Sequence, residues 1–376
     1  MAHRLNKTRQ KRQKKDVLQT SKPLRRSVAL DNNPSGTDGF EFVEYAAPPT
    51  PALGALFERM GFSPVAHHRS KDVTLYRQGD VNFILNHEPN SFAQAFARVH
   101  GPSVCAFAIR VKDAAYALKR AISLGAKAYH GRVGPMELNI PAIKGIGGSL
   151  IYLVDRYGGR SIYDVDFIAS GNGLGQIEGA GLTHVDHLTH NVHKGRMDQW
   201  AEFYQRLFNF REIRYFNIRG QKTGLKSRAL VSPCGKIRIP INEPSDEQSQ
   251  VQEYLEAYHG EGIQHIALGA RDIFTTVEKL RDRDVDFLDA PKGYYERLEQ
   301  RFPSHGANRE QLARNHILVD GDPSSGVLLQ IFTKTMIGPI FFEIIQRKGN
   351  EGFGEGNFRA LFESIEKDQM ARGVVR

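Results

Sequence analysis

A chain of 376 residues, 40% of them hydrophobic, is longer than one hydrophobic core usually supports, so at least two globular domains are expected. The formal charge of +9 suggests nucleic-acid binding until it is located: residues 1–26 hold ten Lys or Arg against one acid, Asp16, and that difference of nine is the whole excess. With a neutral body, no apolar run of about 18 residues, no secretory signal pattern and only two cysteines (Cys105 and Cys234), a membrane span, a disulfide framework and a thiolate metal cluster are all disfavoured, and a reducing cytoplasm fits best.

Residues 1–37 read as a disordered basic tail, because few apolar residues and the stretch Asp31–Gly36 cannot repay the entropy of folding. Such a tail either makes weak, salt-sensitive contacts with nucleic acid or anionic lipid or is a plain solvated extension. The absence of interleaved aromatics favours the extension, so nucleic acid is not expected as a partner except through the tail. From Phe40 the chain repeats itself. Phe40, Phe42, Val43 and Tyr45 alternate as a strand before an amphipathic helix over Ala52–Met60; Leu182, Val185, His187 and Thr189 precede a second helix over Met197–Leu207. The strand around Val104–Ile109, with a helix over 111–124 and a strand near Ala126–Tyr129, is matched by Ile263–Leu268, a helix over Ile273–Arg281 and a strand near Val285–Leu288. Both of these helices start just after an acid, Asp113 and Asp272, which suits the positive end of a helix dipole. The pattern implies α+β architecture with two tandem domains, 38–170 and 181–357, joined by a Gly-rich linker at 171–180 and followed by a terminal helix over 358–376, each domain being a sheet curved around a cavity.

His187, His265 and Glu343 occupy equivalent-looking strand positions in the second copy, Glu343 inside the apolar run Ile340–Ile345. A carboxylate buried there is costly unless a positive group meets it, and two imidazoles plus one carboxylate on one face of a metal leave positions open, as iron(II) enzymes require. In the first copy the corresponding residues are expected to be Tyr45, Ala106 and approximately Tyr152, none of them a comparable set of ligands. One ambiguity stays open: His184, His187, His190 and His193 are evenly spaced, alternation puts His184 and His190 on the opposite face from His187, and the repeat register through Val43 and Val185 favours His187. The other three histidines are expected at the rim or surface.

At this point the motifs Val185-Asp186-His187, Pro240–Pro244, Gln264–Ala267, Leu329–Thr333, Phe342–Arg347 and Gly352–Phe358 resemble those of the 4-hydroxyphenylpyruvate dioxygenase family, in the vicinal oxygen chelate superfamily. The likeness covers about residues 38–374, leaves the tail outside, and in the short loop Thr335–Pro339 is similar to bacterial members rather than plant or animal ones. It implies glyoxalase-like domains of paired βαβββ modules and an iron(II) cofactor on His187, His265 and Glu343. Its implied partners are 4-hydroxyphenylpyruvate and dioxygen, converted to homogentisate and carbon dioxide in tyrosine breakdown, and a homodimer or homotetramer. By position in the matched motifs it further implies catalytic roles for Ser232, Asn242, Gln264 and Gln330, and substrate contacts from Gln250, Phe332, Phe341, Phe353, Asn357 and Phe358. Ordinary core packing is the plainer alternative for the phenylalanines, above all Phe341, and a surface helix position for Gln250. Phe358, Leu361, Phe362 and Ile365 share one helix face, with Asn357 as an N-cap; this helix is expected to cover the site, with Gly352, Gly354 and Gly356 allowing movement. The rival within the resemblance is 4-hydroxymandelate synthase, which shares ligands and substrate but tends to carry a smaller aliphatic residue in place of Phe358. Outside it stands a metal-free binding protein on the same fold.

Overall fold

In the computed structural model two open, curved sheets follow one another along the chain, each built from βαβββ modules. The structure describes residues 33–371 and 373, except 172–174, 176, 220–222, 292, 304 and 323. Most of the expected basic tail (1–32) and the centre of the expected linker lie outside the described residues. Residues 33–37, expected to belong to the tail, are folded: Asn33 Oδ1 accepts from the Thr37 amide at 2.8 Å, Ser35 and Thr37 are buried, and the Lys112 amide donates to the Ser35 carbonyl. A β-turn, the Gly36 amide donating to the Asn33 carbonyl at 3.0 Å, clasped by the Asn33 side chain and packed on the body, turns a polar composition into an ordered start.

The first lobe comprises β1 (Phe40–Ala46), α1 (Ala52–Arg59), β2 (Ser63–His68), β3 (Val73–Gln78), β4 (Val81–Asn86), α2 (Phe92–His100), β5 (Ser103–Arg110), α3 (Ala114–Ser123), β6 (Ala128–Tyr129), β7 (Ala142–Lys144), β8 (Leu150–Val154), α4 (Tyr163–Asp166) and β9 (Phe167–Ala169), with strand order β6-β7-β8-β5-β1-β4-β3-β2-β9. The second comprises β10 (Leu182–Asn191), α5 (Met197–Phe208), β11 (Arg211–Arg219), β12 (Gly224–Val231), β13 (Arg238–Pro244), α6 (Gln250–Tyr258), β14 (Gly262–Ala270), α7 (Ile273–Arg281), α8 (Tyr294–Arg301), α9 (Arg309–Asn315), β15 (Leu318–Asp322), β16 (Gly326–Phe332), β17 (Phe341–Lys348) and α10 (Glu355–Ala371), with order β11-β12-β13-β10-β14-β17-β16-β15. Helix starts follow local chemistry. Asp113 accepts from the Tyr116 amide, Asp272 from the Thr275 amide and Ser249 from the Val251 amide, so side chains satisfy the orphan donors of α3, α7 and α6. The expected strand at Val285–Leu288 reduces to a single bridge, Phe287 to Thr333, because the chain leaves there for α8 and α9.

Cross-strand partners fix how the lobes correspond. In the first, Phe42 faces Ala108 and Ala108 faces Tyr152; in the second, His187 faces Ala267 and Ala267 faces Glu343. His187 therefore answers to Phe42 rather than to the expected Tyr45, which answers to His190, while Ala106 and Tyr152 answer to His265 and Glu343 as expected. The two strands share ladder irregularities at equivalent places, Phe40/Phe42 and Glu44/Tyr45 in β1 and Val185/His187 and Thr189/His190 in β10, so Val43 answers to Leu188 and the match of Val43 with Val185 is three residues out. The rings of Phe42 and Tyr152 sit 5.6 Å apart within an apolar cluster that includes Leu75, Ile84 and Tyr163, so the concave face of the first lobe is packed solid.

The lobes are joined through Gln78, which is fully buried at the end of β3. Its Nε2 donates to the Met60 carbonyl at 3.0 Å, and its Oε1 accepts from the amides of Ala180, Gly181 and Leu182 at 2.6–3.2 Å. Gln78→Leu would deprive the Met60 carbonyl and the Ala180 amide of this partner, while the Gly181 amide keeps the Glu178 carbonyl, so a loss of about 1–3 kcal/mol is expected. A urea midpoint equal to that of the native chain would refute the role.

Candidate metal centre

β10, β14 and β17 lie side by side, and their register brings three side chains to one point of the concave face. The Nε2 atoms of His187 and His265 stand 3.2 and 3.5 Å from Glu343 Oε2; all three residues are buried, and their ligand atoms lie within 4.8 Å of one another. The outer nitrogen of each ring is engaged: His187 Nδ1 meets Asp186 Oδ1 at 2.9 Å, and His265 Nδ1 meets Gln264 Oε1 at 3.1 Å. Both outer partners are acceptors, which puts the proton on Nδ1 and leaves the Nε2 lone pairs facing inward. The remaining carboxylate oxygen, Glu343 Oε1, accepts from Gln330 Nε2 at 2.8 Å. Two inward lone pairs and one oriented carboxylate fit a divalent metal with open positions.

The electrostatics agree. Burial works against a charged Glu343, yet the two imidazoles hold its pKa down at about 2. Burial also opposes a charged His187, but Glu343 and Asp186 raise it above 6.5, whereas for His265 burial prevails and lowers the pKa. The difference has a cause: His187 faces two carboxylates and His265 only one. A proton taken up by the metal-free triad therefore goes to His187 before His265. Because that pKa is raised, the protonated form stabilises the metal-free fold fully below 6.5, and the contribution is lost as pH rises through the raised value. Metal must displace the same proton, so affinity is expected to climb about tenfold per pH unit below the raised pKa and level off above it. Calorimetric titrations with a divalent metal under argon at stepped pH check this; an affinity that does not change with pH would contradict it.

Around the triad lies a cavity whose lining includes Asn242, Gln250, Gln264, Gln330, Phe332, Phe341, Phe353 and Phe358. Phe341 stacks on His265 with ring centres 4.8 Å apart, and Gln250, the first residue of α6, is buried rather than at the surface. Ser232 is placed elsewhere: its hydroxyl accepts from the Ile237 amide and contacts Cys234 in the β12–β13 turn, so turn geometry occupies it. Ser227 lines the cavity instead, paired across the ladder with Asn242. Thr189, two residues after His187 on the same strand face, also lines it with a buried hydroxyl that has no hydrogen-bond partner; its i+2 spacing from the ligand was the signal available in the sequence. Of the other histidines, His184 and His193 are exposed, but His190 is core, not rim. Its Nε2 meets the Tyr204 hydroxyl at 2.7 Å, and burial lowers its pKa to about 3.

α10 closes the open side. It runs between the two edge strands of the sheet, Phe358 meeting Phe216 of β11 at 4.6 Å and the Gly356 amide donating to Asp320 of β15, while Phe358, Leu361 and Phe362 face the cavity. The helix begins at Glu355, so Asn357 is not its N-cap. The Asn357 amide is buried in the first turn, donating to Gln330 Oε1 at 2.9 Å and accepting from the Tyr294 hydroxyl at 2.7 Å, so it supports Gln330 from outside the cavity lining.

Comparison with known proteins gives a family context. Residues 31–168 match the model described as hydroxyphenylpyruvate dioxygenase, N-terminal, and residues 184–309 match the glyoxalase/bleomycin resistance protein/dioxygenase superfamily. The chain is 58% identical to a 4-hydroxyphenylpyruvate dioxygenase of Pseudomonas aeruginosa over 92% of this chain and 98% of that protein. It is 59% identical to hemolysin VllY of Vibrio vulnificus, over 91% and 98%. A solved mutant of 4-hydroxymandelate synthase from Streptomyces coelicolor superposes with a TM-score of 0.78 at 26% identity, covering 89% of this chain and 99% of that one.

Proposed function

The chain belongs to the 4-hydroxyphenylpyruvate dioxygenase family, and from that premise we propose that it binds iron(II) at His187, His265 and Glu343 and converts 4-hydroxyphenylpyruvate and dioxygen to homogentisate and carbon dioxide. The observation that carries this reading is the convergence of two imidazole Nε2 atoms on a buried carboxylate inside a cavity walled by phenylalanines. Iron would supply a site where the keto acid and dioxygen meet and exchange electrons.

The protein's own contributions follow from its residues. Asp186 and Gln264 hold the two rings in the tautomer that presents Nε2, and Gln330 holds Glu343. On the β12–β13 side, Ser227 and Asn242, with Gln250 at the start of α6, offer neutral donors and acceptors for the phenolic end of the substrate without adding charge beside the metal. Phe332, Phe341, Phe353 and Phe358 enclose the ring and keep water from the reacting atoms. The cavity has a volume of about 50 Å³, room for roughly three or four waters and far below the roughly 300–1,000 Å³ of ligand pockets. Substrate entry therefore calls for α10 to move, and return of the helix would reseal the site.

The 4-hydroxymandelate synthase reading shares the triad. Phe358, held edge-on against Phe216, weighs against it, as does 26% identity to the synthase beside 58% to the dioxygenase. The experiment is to load purified protein with iron(II) without oxygen, add 4-hydroxyphenylpyruvate, admit oxygen and identify the products by chromatography. Homogentisate with matching carbon dioxide is expected; 4-hydroxymandelate would transfer the chain to the synthases, and no turnover despite bound iron would remove the substrate assignment.

A further inference from the structure

Two charged residues beside the triad have an arrangement that tautomer control alone does not require. Asp186 is buried, and besides meeting His187 Nδ1 it accepts from two nitrogens along one edge of a guanidinium, Arg347 Nε to Oδ2 at 2.7 Å and Arg347 Nη2 to Oδ1 at 2.8 Å. The third nitrogen of Arg347, Nη1, donates to the carbonyls of Asn350 and Gly352. The next residue, Phe353, sets its ring edge-on to His187 at 5.7 Å and gives its carbonyl to Gln330. One planar cation thus fastens a metal ligand's partner and the backbone that leads into α10.

The first lobe provides a control. By the register above, Glu41 answers to Asp186 and Arg156 to Arg347. There the buried carboxylate is taken by Arg110 of the adjacent strand β5, and Arg156 is exposed. A buried acid at this position can be neutralised within the sheet, so the bridge to a loop is a feature of the lobe with the triad. A buried ion pair is weak evidence for stability, and an apolar pair would often serve as well; a fork that spans ligand and loop has a different use.

We propose that the Asp186–Arg347 pair is a positioning device that couples His187 to the 350–353 segment, so that metal occupancy and the order of the backbone at the foot of α10 rise and fall together. The proposal rests on the triad being a metal site. Coupling is reciprocal: whatever factor an ordered segment adds to metal affinity, metal adds to the order of the segment. Lysine at 347 would keep the charge but has no fork to hold Asp186 and the two carbonyls at once.

The test uses the full chain and cobalt(II), which needs no turnover to be read. Cobalt affinity is titrated first, and hydrogen exchange at amides 350–353 is then followed by mass spectrometry with and without the metal. In the native chain metal is expected to slow exchange there by about tenfold or more, and Arg347→Lys, checked as folded by near-UV circular dichroism, is expected to bind cobalt about 10–100-fold more weakly and to lose the slowing. Asp186→Asn supplies the same two readouts if the lysine variant fails to fold. Exchange in the native chain that ignores metal overturns the coupling, as does affinity within about twofold of native in a folded variant. A native chain that binds no cobalt would overturn the triad reading first, and this inference with it.

Discussion

Alanine in place of His265 is expected to abolish stoichiometric metal binding and to cut homogentisate formation by about three orders of magnitude or more. A catalytic metal supplies several kcal/mol of stabilisation to the reacting atoms, and each factor of ten in rate corresponds to about 1.4 kcal/mol. Two protein ligands, His187 and Glu343, would remain, too few to hold the metal against water. The fold should survive, because Glu343 keeps His187 at 3.2 Å and Gln330 at 2.8 Å as partners. Metal analysis, turnover and near-UV circular dichroism on one preparation test all three statements; a folded variant that keeps its metal and its rate would remove His265 from the centre.

Gly354→Ala is expected to produce the second large loss, at a residue that touches neither metal nor substrate. Gly354 has φ +79°, a conformation that L side chains rarely adopt, and a Cβ built there would lie 1.9 Å from Gln330 Oε1. Glutamine side chains usually yield to such a clash. This one is tied at both ends, through Nε2 to Glu343 and the Phe353 carbonyl and through Oε1 to Asn357. Making room for one methyl group means breaking the support of the ligand carboxylate and the joint with α10. Turnover is expected to fall by about 10–100-fold, the usual cost of losing a ligand's outer partner, and stability by about 1–3 kcal/mol from the backbone strain. Steady-state kinetics should place the loss mainly in kcat, and Gln330→Leu should show a similar kinetic loss. An alanine variant with native kcat would mean that the support is dispensable.

Much of this arrangement could be read in the sequence, for identifiable reasons. Asp113 and Asp272 mark helix starts because capping is a local event, and α7 runs from Ile273 to Arg281 as its pattern predicts. Duplication singled out His187, His265 and Glu343, since one copy lacks what the other has. Their meeting depends on a parallel pairing of β14 with β17 and an antiparallel pairing of β10 with β14, and local pattern does not specify such pairings. The three-residue slip that set Tyr45 against His187 came from matching Val43 with Val185, whereas the ladders match Val43 with Leu188; one apolar strand residue looks like another to a local pattern. Ser232 was expected from family likeness, and the position of the β12–β13 turn, which the linear sequence does not show, occupies its hydroxyl and sets Ser227 on the cavity. Gln250 and Gln264 came from family likeness alone, because periodicity carries no information about an amide that faces a cavity. Arg347 stood in plain view in a quoted motif, but its grip on the Asn350 and Gly352 carbonyls is a matter of three-dimensional reach.

The solid face of the first lobe has a use for protein engineering. The strand register names the three substitutions that would write a second centre into the chain: Phe42→His, Ala106→His and Tyr152→Glu. Two of them exchange a larger aromatic ring for a smaller group, releasing space beside the alanine that must grow. An outer carboxylate is already installed, since buried Glu41 occupies the place of Asp186 with Arg110 to balance it. A chain so altered would carry two docking points for metal on one scaffold, one sealed by the terminal helix and one packed under the segment of α4, and comparing them would separate what the ligands do from what the seal does.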